Sequence, residues 1–280
     1  MIIINTCKEL QEHVAGDLKA GKTIGFVPTM GALHEGHLSL IKKAHEENQL
    51  VYCSIFVNPL QFNDKHDLET YPQTLEADCK LIEPFCDVVF APTPAEMYPS
   101  TPTESYNFGA LEQVMEGVFR PGHFNGVGVV VGRLLKLVQP TNAYFGEKDY
   151  QQLAIIRQLV KQLNLKVNVV PCPIVRETSG LALSSRNRRL SAEDFKRASF
   201  IYETLSKARE MSMSHSLKEV QEFLNNAFAT NPHFKVDYIS IADGDTLQPI
   251  NDWSESNDPM VLVAVYLGGV RLIDNMKLCR

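Results

Sequence analysis

The sequence predicts an α/β protein: a Rossmann-like, doubly wound parallel sheet with a second, smaller α+β C-terminal domain. In the first two-thirds of the chain, short β-rich apolar runs alternate with amphipathic stretches, as in a parallel sheet covered by helices. After about residue 175 this alternation gives way to a polar, arginine-rich stretch, two helical patterns and a few strand-like runs. We therefore predict one domain over residues 1–175 and a second over residues 176–280.

Each predicted element has its own local pattern. In the last helical stretch of the first domain, Leu153, Ile156 and Leu159 recur at helical spacing and define one buried face. The apolar run near the C-terminus is interrupted by Gly268 and Gly269, which indicates a pair of buried strands. The predicted strands cover residues 23–28, 50–58, 87–92, 142–146, 166–171, 235–243 and 260–274, and the predicted helices cover residues 36–48, 74–85, 127–138, 150–163, 192–211 and 216–229.

Composition limits the function classes. The chain has 280 residues, 44% of them hydrophobic and 21% charged, which is ordinary globular usage. A formal net charge of -6 argues against broad binding of nucleic acid or of anionic lipid. The N-terminus lacks the order of a secretory signal, and no apolar run approaches the roughly 20 residues that span a bilayer. We expect a cytoplasmic protein whose six cysteines, none in a CxxC motif, are reduced structural thiols.

The segment PTMGALHEGH, from Pro28 to His37, follows the first predicted core strand and leads into a helix. A helix N-terminus offers backbone N–H groups and a positive dipole end to a phosphate. The segment matches neither the P-loop nor GxGxxG, but His34 and His37 can face one side of the turn, with Gly36 allowing close approach. The alternatives are a pair of capping histidines, or two ligands of a zinc site that lacks a nearby third ligand.

Two further segments carry groups that suit a nucleotide. In FGEKDYQQ (residues 145–152), Lys148 is a cation for phosphate oxygens and Asp149 an acceptor for ribose hydroxyls. Alternatively, Asp149 only caps a helix and Lys148 is solvated. In LALSSRN (residues 181–187), two hydroxyls and a guanidinium form a phosphate clamp on a loop, or else a solvated basic loop.

Neutral amides and a third polar loop suggest a second substrate. FVNPLQF (residues 56–62) ends a predicted strand with Asn58 and Gln61, which can hydrogen-bond a polar molecule or simply satisfy the turn. EGVFRPGHFNGV (residues 116–127) places Arg120 and His123 just before a helix, and polar loop residues of this kind are often functional.

Together these five motifs resemble the pantoate–β-alanine ligase family of the HxGH-type nucleotidyltransferase superfamily, in the same order and spacing. The resemblance covers nearly the whole chain and is most specific over residues 25–190. It implies an ATP-dependent ligase that joins pantoate and β-alanine through a pantoyl adenylate, releasing pyrophosphate and then AMP. It also implies Mg²⁺ on the phosphates, no nucleic-acid or membrane partner, and a homodimer.

The resemblance also implies roles for individual residues. The catalytic residues would be His34, His37, Lys148, Ser184, Ser185 and Arg186. Apart from His34, the same residues would bind ATP, together with Pro28, Thr29, Met30, Gly36, Gly146, Glu147, Asp149 and the backbone of Val175 and Leu183. Asn58, Gln61 and Gln152 would hold pantoate, with Met30 packing nearby. Arg120 and His123 are expected to be further substrate-binding residues, and Asp78 would assist the metal ion. Leu183 departs from the methionine common in the family, but the implied contact uses backbone.

Two other functions remain open on the residues alone. A pure adenylyltransferase would share the HxGH segment and the sheet, but would leave AMP on its product. A non-catalytic nucleotide-binding regulator would keep the glycine-rich turn and tolerate loss of Lys148 or of one histidine. A tRNA-binding synthetase is disfavoured by the acidic balance and the small C-terminal domain.

Overall fold

The computed structural model describes residues 1–63 and 65–279, and its larger sheet is parallel throughout. Five of its strands were predicted from the sequence; the short edge strand β1 was not. In sheet order, the six strands run β1-β4-β3-β2-β5-β6. The strands are β1 (Ile2–Ile4), β2 (Ile24–Thr29), β3 (Leu50–Ile55), β4 (Val88–Phe90), β5 (Asn142–Gly146) and β6 (Asn168–Cys172). Strands β2 to β6 have the order of a doubly wound sheet, in which the sequence of strands along the sheet reverses between β2 and β5. The predicted fold class is therefore confirmed.

A second sheet of three antiparallel strands lies in the C-terminal part of the chain, in the order β7-β8-β9. Its strands are β7 (Phe234–Asp243), β8 (Pro259–Leu267) and β9 (Val270–Lys277). Gly268 and Gly269 join β8 to β9 with φ angles of 56° and 78°, as a two-residue turn between twisted strands requires. The predicted strand pair at this position is therefore present.

Helices connect and cover the strands. They are α1 (Cys7–Lys19), α2 (Glu35–Glu47), α3 (Lys65–Glu69), α4 (Leu75–Ile82), α5 (Pro94–Met97), α6 (Met115–Phe119), α7 (His123–Val138), α8 (Tyr150–Gln162), α9 (Ala192–Arg197), α10 (Ser199–Ser212) and α11 (Leu217–Ala229). The helix predicted over residues 192–211 is two helices that meet at Ala198. In the part of the chain that the structure describes, no helix combines the length and apolar character that crossing a membrane requires.

Two compact units divide the chain. The first comprises Met1–Phe108, Arg120–Glu147 and Gln152–Pro173, and the second Gly109–Phe119, Lys148–Gln151 and Ile174–Arg280. The final change of unit lies two residues from the predicted boundary. The segment around α6 groups with the second unit because the buried Glu116 carboxylate accepts two hydrogen bonds from Arg271 and one from Tyr238.

Each unit has its own apolar core. In the first, α2 and α4 pack Leu38, Ile41 and Ile82 against the buried β2 and β3 residues Val27 and Cys53. The core of the second unit consists of residues from α10, α11 and the three-stranded sheet, among them Leu205, Leu224, Phe228, Val261, Val263 and Leu272. Burial of this apolar surface, at about 25 cal/mol per Å², is the main stabilising contribution within each unit.

Candidate active site

The carboxyl ends of β2 and β5 separate at the point where the order of strands in the sheet reverses. β2 pairs with β5 only at Gly25 and Phe26, whereas it pairs with β3 as far as Thr29. Pro28 has no N–H to donate to a neighbouring strand, which suits a position where the ladder ends. Ligands of open α/β sheets bind in the crevice that such a divergence creates.

The turn that leaves β2 at this point contains two residues in the left-handed region. Gly31 has a φ of 82° and Ala32 a φ of 51°. A Cβ at Gly31 would lie 3.1 Å from both Asp78 Oδ2 and Ile55 Cγ2, so a side chain here would displace a neighbour slightly as well as strain the backbone. Ala32 carries the cost of a left-handed alanine, and so the turn must be held by contacts from elsewhere.

Asp78 on α4 supplies those contacts. Asp78 is 3% exposed, and its carboxylate accepts hydrogen bonds from the backbone N–H of Ala32 at 2.9 Å and of Leu33 at 2.8 Å. Thr74 Oγ1 donates to the same carboxylate at 3.0 Å. Two N–H groups that face one carboxylate fix the turn as a rigid unit, which the sequence pattern did not reveal.

His34 ends this turn and is the N-cap of α2. Its Nδ1 accepts the backbone N–H of Gly36 at 3.1 Å, which places the proton of a neutral ring on Nε2. The His37 ring lies 4.1 Å from the His34 ring, centroid to centroid, at an angle of 42°. The two imidazoles therefore share one side of the turn, as predicted, and His34 also has the capping role weighed as the alternative.

The zinc alternative receives no support. Among residues 1–63 and 65–279, no cluster of three or more His, Cys, Asp or Glu side chains could hold a metal ion.

Asn58 and Gln61 lie at the end of β3, where Asn58 caps the short 3₁₀ helix Pro59–Gln61. Asn58 Nδ2 donates to Gln61 Oε1 at 3.2 Å and to Gly126 O at 3.1 Å. Gln61 Nε2 lies 2.8 Å from Met30 Sδ. Of the three predicted pantoate residues Met30, Asn58 and Gln61, Gln61 therefore contacts both of the others.

Side chains of the RPGHF motif (residues 120–124) contact the main chain of the 3₁₀ helix Pro59–Gln61. His123 Nδ1 donates to Gln61 O at 2.8 Å, and Arg120 donates from Nη1 to His123 Nε2 at 3.1 Å. Because a carbonyl only accepts and a guanidinium only donates, His123 is neutral with its proton on Nδ1. A Cβ at Gly126 would lie 2.2 Å from Leu60 O, so this glycine permits the close approach of α7 to Pro59–Gln61.

A cavity of about 510 Å³ opens next to Met30 within the first unit, a volume typical of small-molecule sites. Its walls are mainly apolar and include Met30, Ile55, Phe56, Leu68, Pro72 and Asp78. Met30 therefore lines a cavity and contacts the Gln61 amide at the same time.

The remaining predicted residues of the first unit lie at the ends of β5 and α8. A Cβ at Gly146 would meet nothing within 4 Å, so the end of β5 is open. Glu147 and Gln152 are half-buried, Glu147 directly after β5 and Gln152 in the first turn of α8.

In the second unit, Lys148 and Asp149 belong to a 3₁₀ turn that runs directly into α8. Lys148 Nζ lies 3.9 Å from Asp149 Oδ2, and the lysine side chain is 18% exposed against 49% for the aspartate. Asn275 Nδ2 donates to Lys148 O at 3.0 Å and so anchors the main chain of this turn. Asp149 is at the helix start, as predicted.

A local hydrogen bond between a side chain and the backbone orders the Ser184–Arg186 segment. Ser184 Oγ accepts the N–H of Arg186 at 3.3 Å and caps the 3₁₀ helix Ser185–Arg189. Leu183 N–H donates to Val175 O at 3.0 Å. The backbone of both residues is predicted to bind adenine. This bond uses the Leu183 N–H and the Val175 carbonyl, and it does not involve the Val175 N–H or the Leu183 carbonyl.

A buried ion pair holds the chain that leads into this segment. Arg176 donates to Asp274 through both terminal nitrogens, at 2.6 and 2.9 Å, and to Gly180 O at 3.0 Å. Asp274 is 4% exposed, so the guanidinium is the partner of a buried carboxylate. Residues almost 100 positions apart make the pair, and no local pattern predicts it.

The fold and this site define the class: a doubly wound α/β protein with an HxGH turn at the carboxyl edge of its parallel sheet. The family model described as pantoate-beta-alanine ligase matches residues 2–277. The chain therefore belongs to the pantoate–β-alanine ligase family, and the predicted resemblance is confirmed.

Individual relatives agree with this assignment. The chain is 49% identical over 278 residues to a pantothenate synthetase of Bacteroides fragilis and 52% identical over 279 residues to one of Phocaeicola vulgatus, with 99% of each chain covered. It resembles the crystal structure of pantothenate synthetase from Thermus thermophilus with a TM-score of 0.93, 43% identity and 99% coverage of both chains. It also resembles a Francisella tularensis pantoate-beta-alanine ligase complexed with beta-gamma ATP and beta-alanine, with a TM-score of 0.82 and 40% identity, over 99% of this chain and 97% of that one.

Proposed function

We propose that this chain condenses pantoate with β-alanine to give pantothenate, at the expense of ATP. The observation that carries the proposal is the HxGH turn, which Asp78 holds at the point where the strand order of the sheet reverses. The family model of the ligases matches residues 2–277 of the chain. The Francisella tularensis ligase is complexed with beta-gamma ATP and beta-alanine, which supports the same co-substrates here.

The reaction is proposed to have two steps. A pantoate carboxylate oxygen attacks the α-phosphorus of ATP, and the bond from that phosphorus to the pyrophosphate oxygen breaks. The β-alanine nitrogen then attacks the acyl carbon of pantoyl adenylate, the bond to AMP breaks, and the amine proton passes to solvent. No covalent bond to the protein forms, so positioning and charge stabilisation must supply the rate enhancement.

Charge stabilisation is assigned to the two histidines and to the basic residues. Negative charge grows on the α-phosphate and on the departing pyrophosphate, which calls for N–H and cationic donors. His34 with its proton on Nε2, His37, Lys148 and Arg186 have that chemistry, and the hydroxyls of Ser184 and Ser185 add neutral donors. The remaining ATP contacts are proposed as the motifs imply: Pro28, Thr29, Met30, Gly36, Gly146, Glu147, Asp149 and the backbone of Val175 and Leu183.

Pantoate is assigned to the cluster around Met30 and Gln61. Amide groups recognise carboxylate and hydroxyl oxygens without adding charge, and Met30 offers an apolar surface to the hydrocarbon part of the molecule. Gln152 is proposed to contact it as well. Arg120 and His123 both face the main chain of Gln61, so we assign them to the support of this subsite.

A Mg²⁺ ion would neutralise charge on the ATP phosphates. A carboxylate has about four lone-pair sites, and three of those on Asp78 accept from Ala32, Leu33 and Thr74. Asp78 therefore fits such an ion as a single ligand at most, with phosphate and water oxygens as the others. A cytoplasmic location and a homodimer also remain proposals that rest on the family.

The assay that tests the function is complete turnover with ATP, pantoate and β-alanine. We expect AMP, pyrophosphate and pantothenate in equal amounts, and no AMP when pantoate is omitted. Release of pyrophosphate with AMP retained on the product would indicate an adenylyltransferase. ATP binding without turnover would indicate a regulator.

A further inference from the structure

The Asn58 side chain uses all of its hydrogen-bonding capacity inside the protein. Its Oδ1 accepts from Leu60 N at 3.3 Å and from Tyr98 Oη at 2.8 Å, while its Nδ2 donates to Gly126 O and to Gln61 Oε1. An amide oxygen accepts two hydrogen bonds and an amide nitrogen donates two. Asn58 is also only 1% exposed, so no part of its amide remains for a substrate.

This saturated amide dictates how Gln61 is oriented. The Leu60 N–H can only donate and the Gly126 carbonyl can only accept, which fixes which end of the Asn58 amide faces each of them. Asn58 Nδ2 then faces Gln61, so Gln61 must present Oε1 to it and turn Nε2 away. Gln61 Nε2 instead donates to the thioether of Met30, which accepts hydrogen bonds only weakly.

Tyr98 makes the shorter of the two bonds to Asn58 Oδ1, and the tyrosine is itself anchored. The Arg133 guanidinium lies 5.0 Å from the centre of the Tyr98 ring and binds the Glu104 carboxylate through two nitrogens, at 3.0 and 2.9 Å. The Phe56 ring meets Tyr98 edge-on at 6.0 Å. Burial raises the pKa of Tyr98, so its hydroxyl stays protonated and donates.

We propose that Tyr98 and Asn58 are positioning residues that hold Gln61 Nε2 toward an oxygen of bound pantoate. The assignment rests on the proposed function and divides its amide pair: Gln61 contacts the substrate, and Asn58 orients Gln61. Removal of the Tyr98 hydroxyl leaves Asn58 Oδ1 with the 3.3 Å bond alone, so the amide pair loosens and pantoate binds less well.

The test is a double-mutant cycle between Tyr98→Phe and Gln61→Ala. The steady-state rate of AMP formation is measured for each variant. Phenylalanine keeps the ring against Phe56 and Arg133 and removes only the hydroxyl. We expect Tyr98→Phe to raise the KM for pantoate about 5–10-fold and the KM for ATP less than about 2-fold, as loss of one hydrogen bond predicts. In the Gln61→Ala background, the same substitution should change the KM for pantoate less than about 2-fold.

Tyr106→Phe is the matched control, because it removes the hydroxyl of another half-buried tyrosine of the first unit. Its KM for pantoate should equal that of the wild type, and thermal melts establish that all variants fold. Calorimetric titration of each variant with pantoate in the presence of a non-hydrolysable ATP analogue measures the same affinity without turnover.

Three results would overturn the inference: a wild-type KM for pantoate in Tyr98→Phe, an equal rise in the KM for ATP, or an undiminished effect of Tyr98→Phe in the Gln61→Ala background. Absence of pantoate-dependent AMP formation in the wild-type protein would instead refute the proposed function, and this assignment with it. The two failures are distinguishable because only the second is seen before any substitution.

Discussion

The carboxylate of Asp78 accepts the backbone N–H of Ala32 at 2.9 Å and keeps that alanine in the left-handed conformation from which the turn leads to His34. The two residues are 46 positions apart, and both are buried. A long-range side chain thus sets the local geometry of the HxGH turn, which is proposed to bind nucleotide.

Asp78→Asn should lower both stability and activity. In Asp78 the two carboxylate oxygens accept one backbone N–H each, from Ala32 and from Leu33. An asparagine has one oxygen for these two N–H groups, and its NH₂ group would face the other N–H. We expect a loss of about 1.5–3 kcal/mol in the free energy of unfolding, measured by urea denaturation. Asp87→Asn is the control: Asp87 Oδ2 accepts a single backbone N–H, that of Val51, so its loss should be smaller and pyrophosphate release should be normal.

A Mg²⁺ titration of Asp78→Asn separates the positioning role from a metal-binding role. If Asp78 mainly holds the turn, the maximal rate of pyrophosphate release falls and the half-saturating Mg²⁺ concentration stays unchanged. A rise in that concentration with a near-normal maximal rate would show that metal binding is its main role.

His34→Ala should slow pantoyl adenylate formation by about 10²–10³-fold, the usual cost of one transition-state donor. The substitution also removes the N-cap of α2, at a cost of about 1 kcal/mol in stability. His34→Asn is the matched control, because asparagine restores the cap without the imidazole: stability should recover and activity should not. The rate is measured as pantoate-dependent exchange of pyrophosphate into ATP.

Lys148→Ala should produce a loss of similar size in the same exchange assay, since the Lys148 ammonium is assigned to the phosphates. The fold should survive because Asn275 binds the main-chain oxygen of this residue, which alanine keeps. Lys161→Ala, which removes an exposed lysine from the last turn of α8, should exchange at the wild-type rate. Near-normal exchange in both His34→Ala and Lys148→Ala is incompatible with their assigned roles.

Arg176→Ala should destabilise the protein by about 3–5 kcal/mol, because it leaves the Asp274 carboxylate buried without its partner. Lys207→Ala is the contrasting control. It breaks an exposed pair with Glu210 and should cost less than about 1 kcal/mol. Urea denaturation of both variants measures the difference, and equal losses would contradict the importance of burial.

Thiol reactivity should depend on pH in a predictable direction. Burial raises the pKa of Cys172 to about 11 and that of Cys86 to about 12, and burial with the nearby Glu96 raises the pKa of Cys7 to about 11. Few of these groups are thiolates at about pH 8, and the thiolate fraction grows as pH rises toward those values. In the native protein a thiol reagent should therefore leave the buried thiols unmodified at that pH, and unfolding should expose them. These thiols are Cys53, Cys79, Cys86 and Cys172.

Local patterns allowed most of the fold to be predicted, and they failed where the pattern was weak. Strand β1 has one buried residue, Ile4, and α1 buries only Leu10 and Val14, so neither has the apolar periodicity by which the other elements were recognised. The HxGH turn and the Asn58–Gln61 pair were predicted because each lies within one short motif. The contacts that hold them could not be, because Asp78 and Tyr98 are distant in sequence and are brought there by tertiary folding alone.

The long separation between Asp78 and the turn also bears on the order of folding. A nascent chain that has formed β2 and α2 but not yet docked α4 has no carboxylate to hold Ala32 in its left-handed conformation. The geometry that is proposed to bind phosphate is then acquired only with tertiary structure. The proposed nucleotide binding would consequently report on the folded state of the first unit as a whole, and a ligand at this turn would stabilise the contacts on which the turn depends.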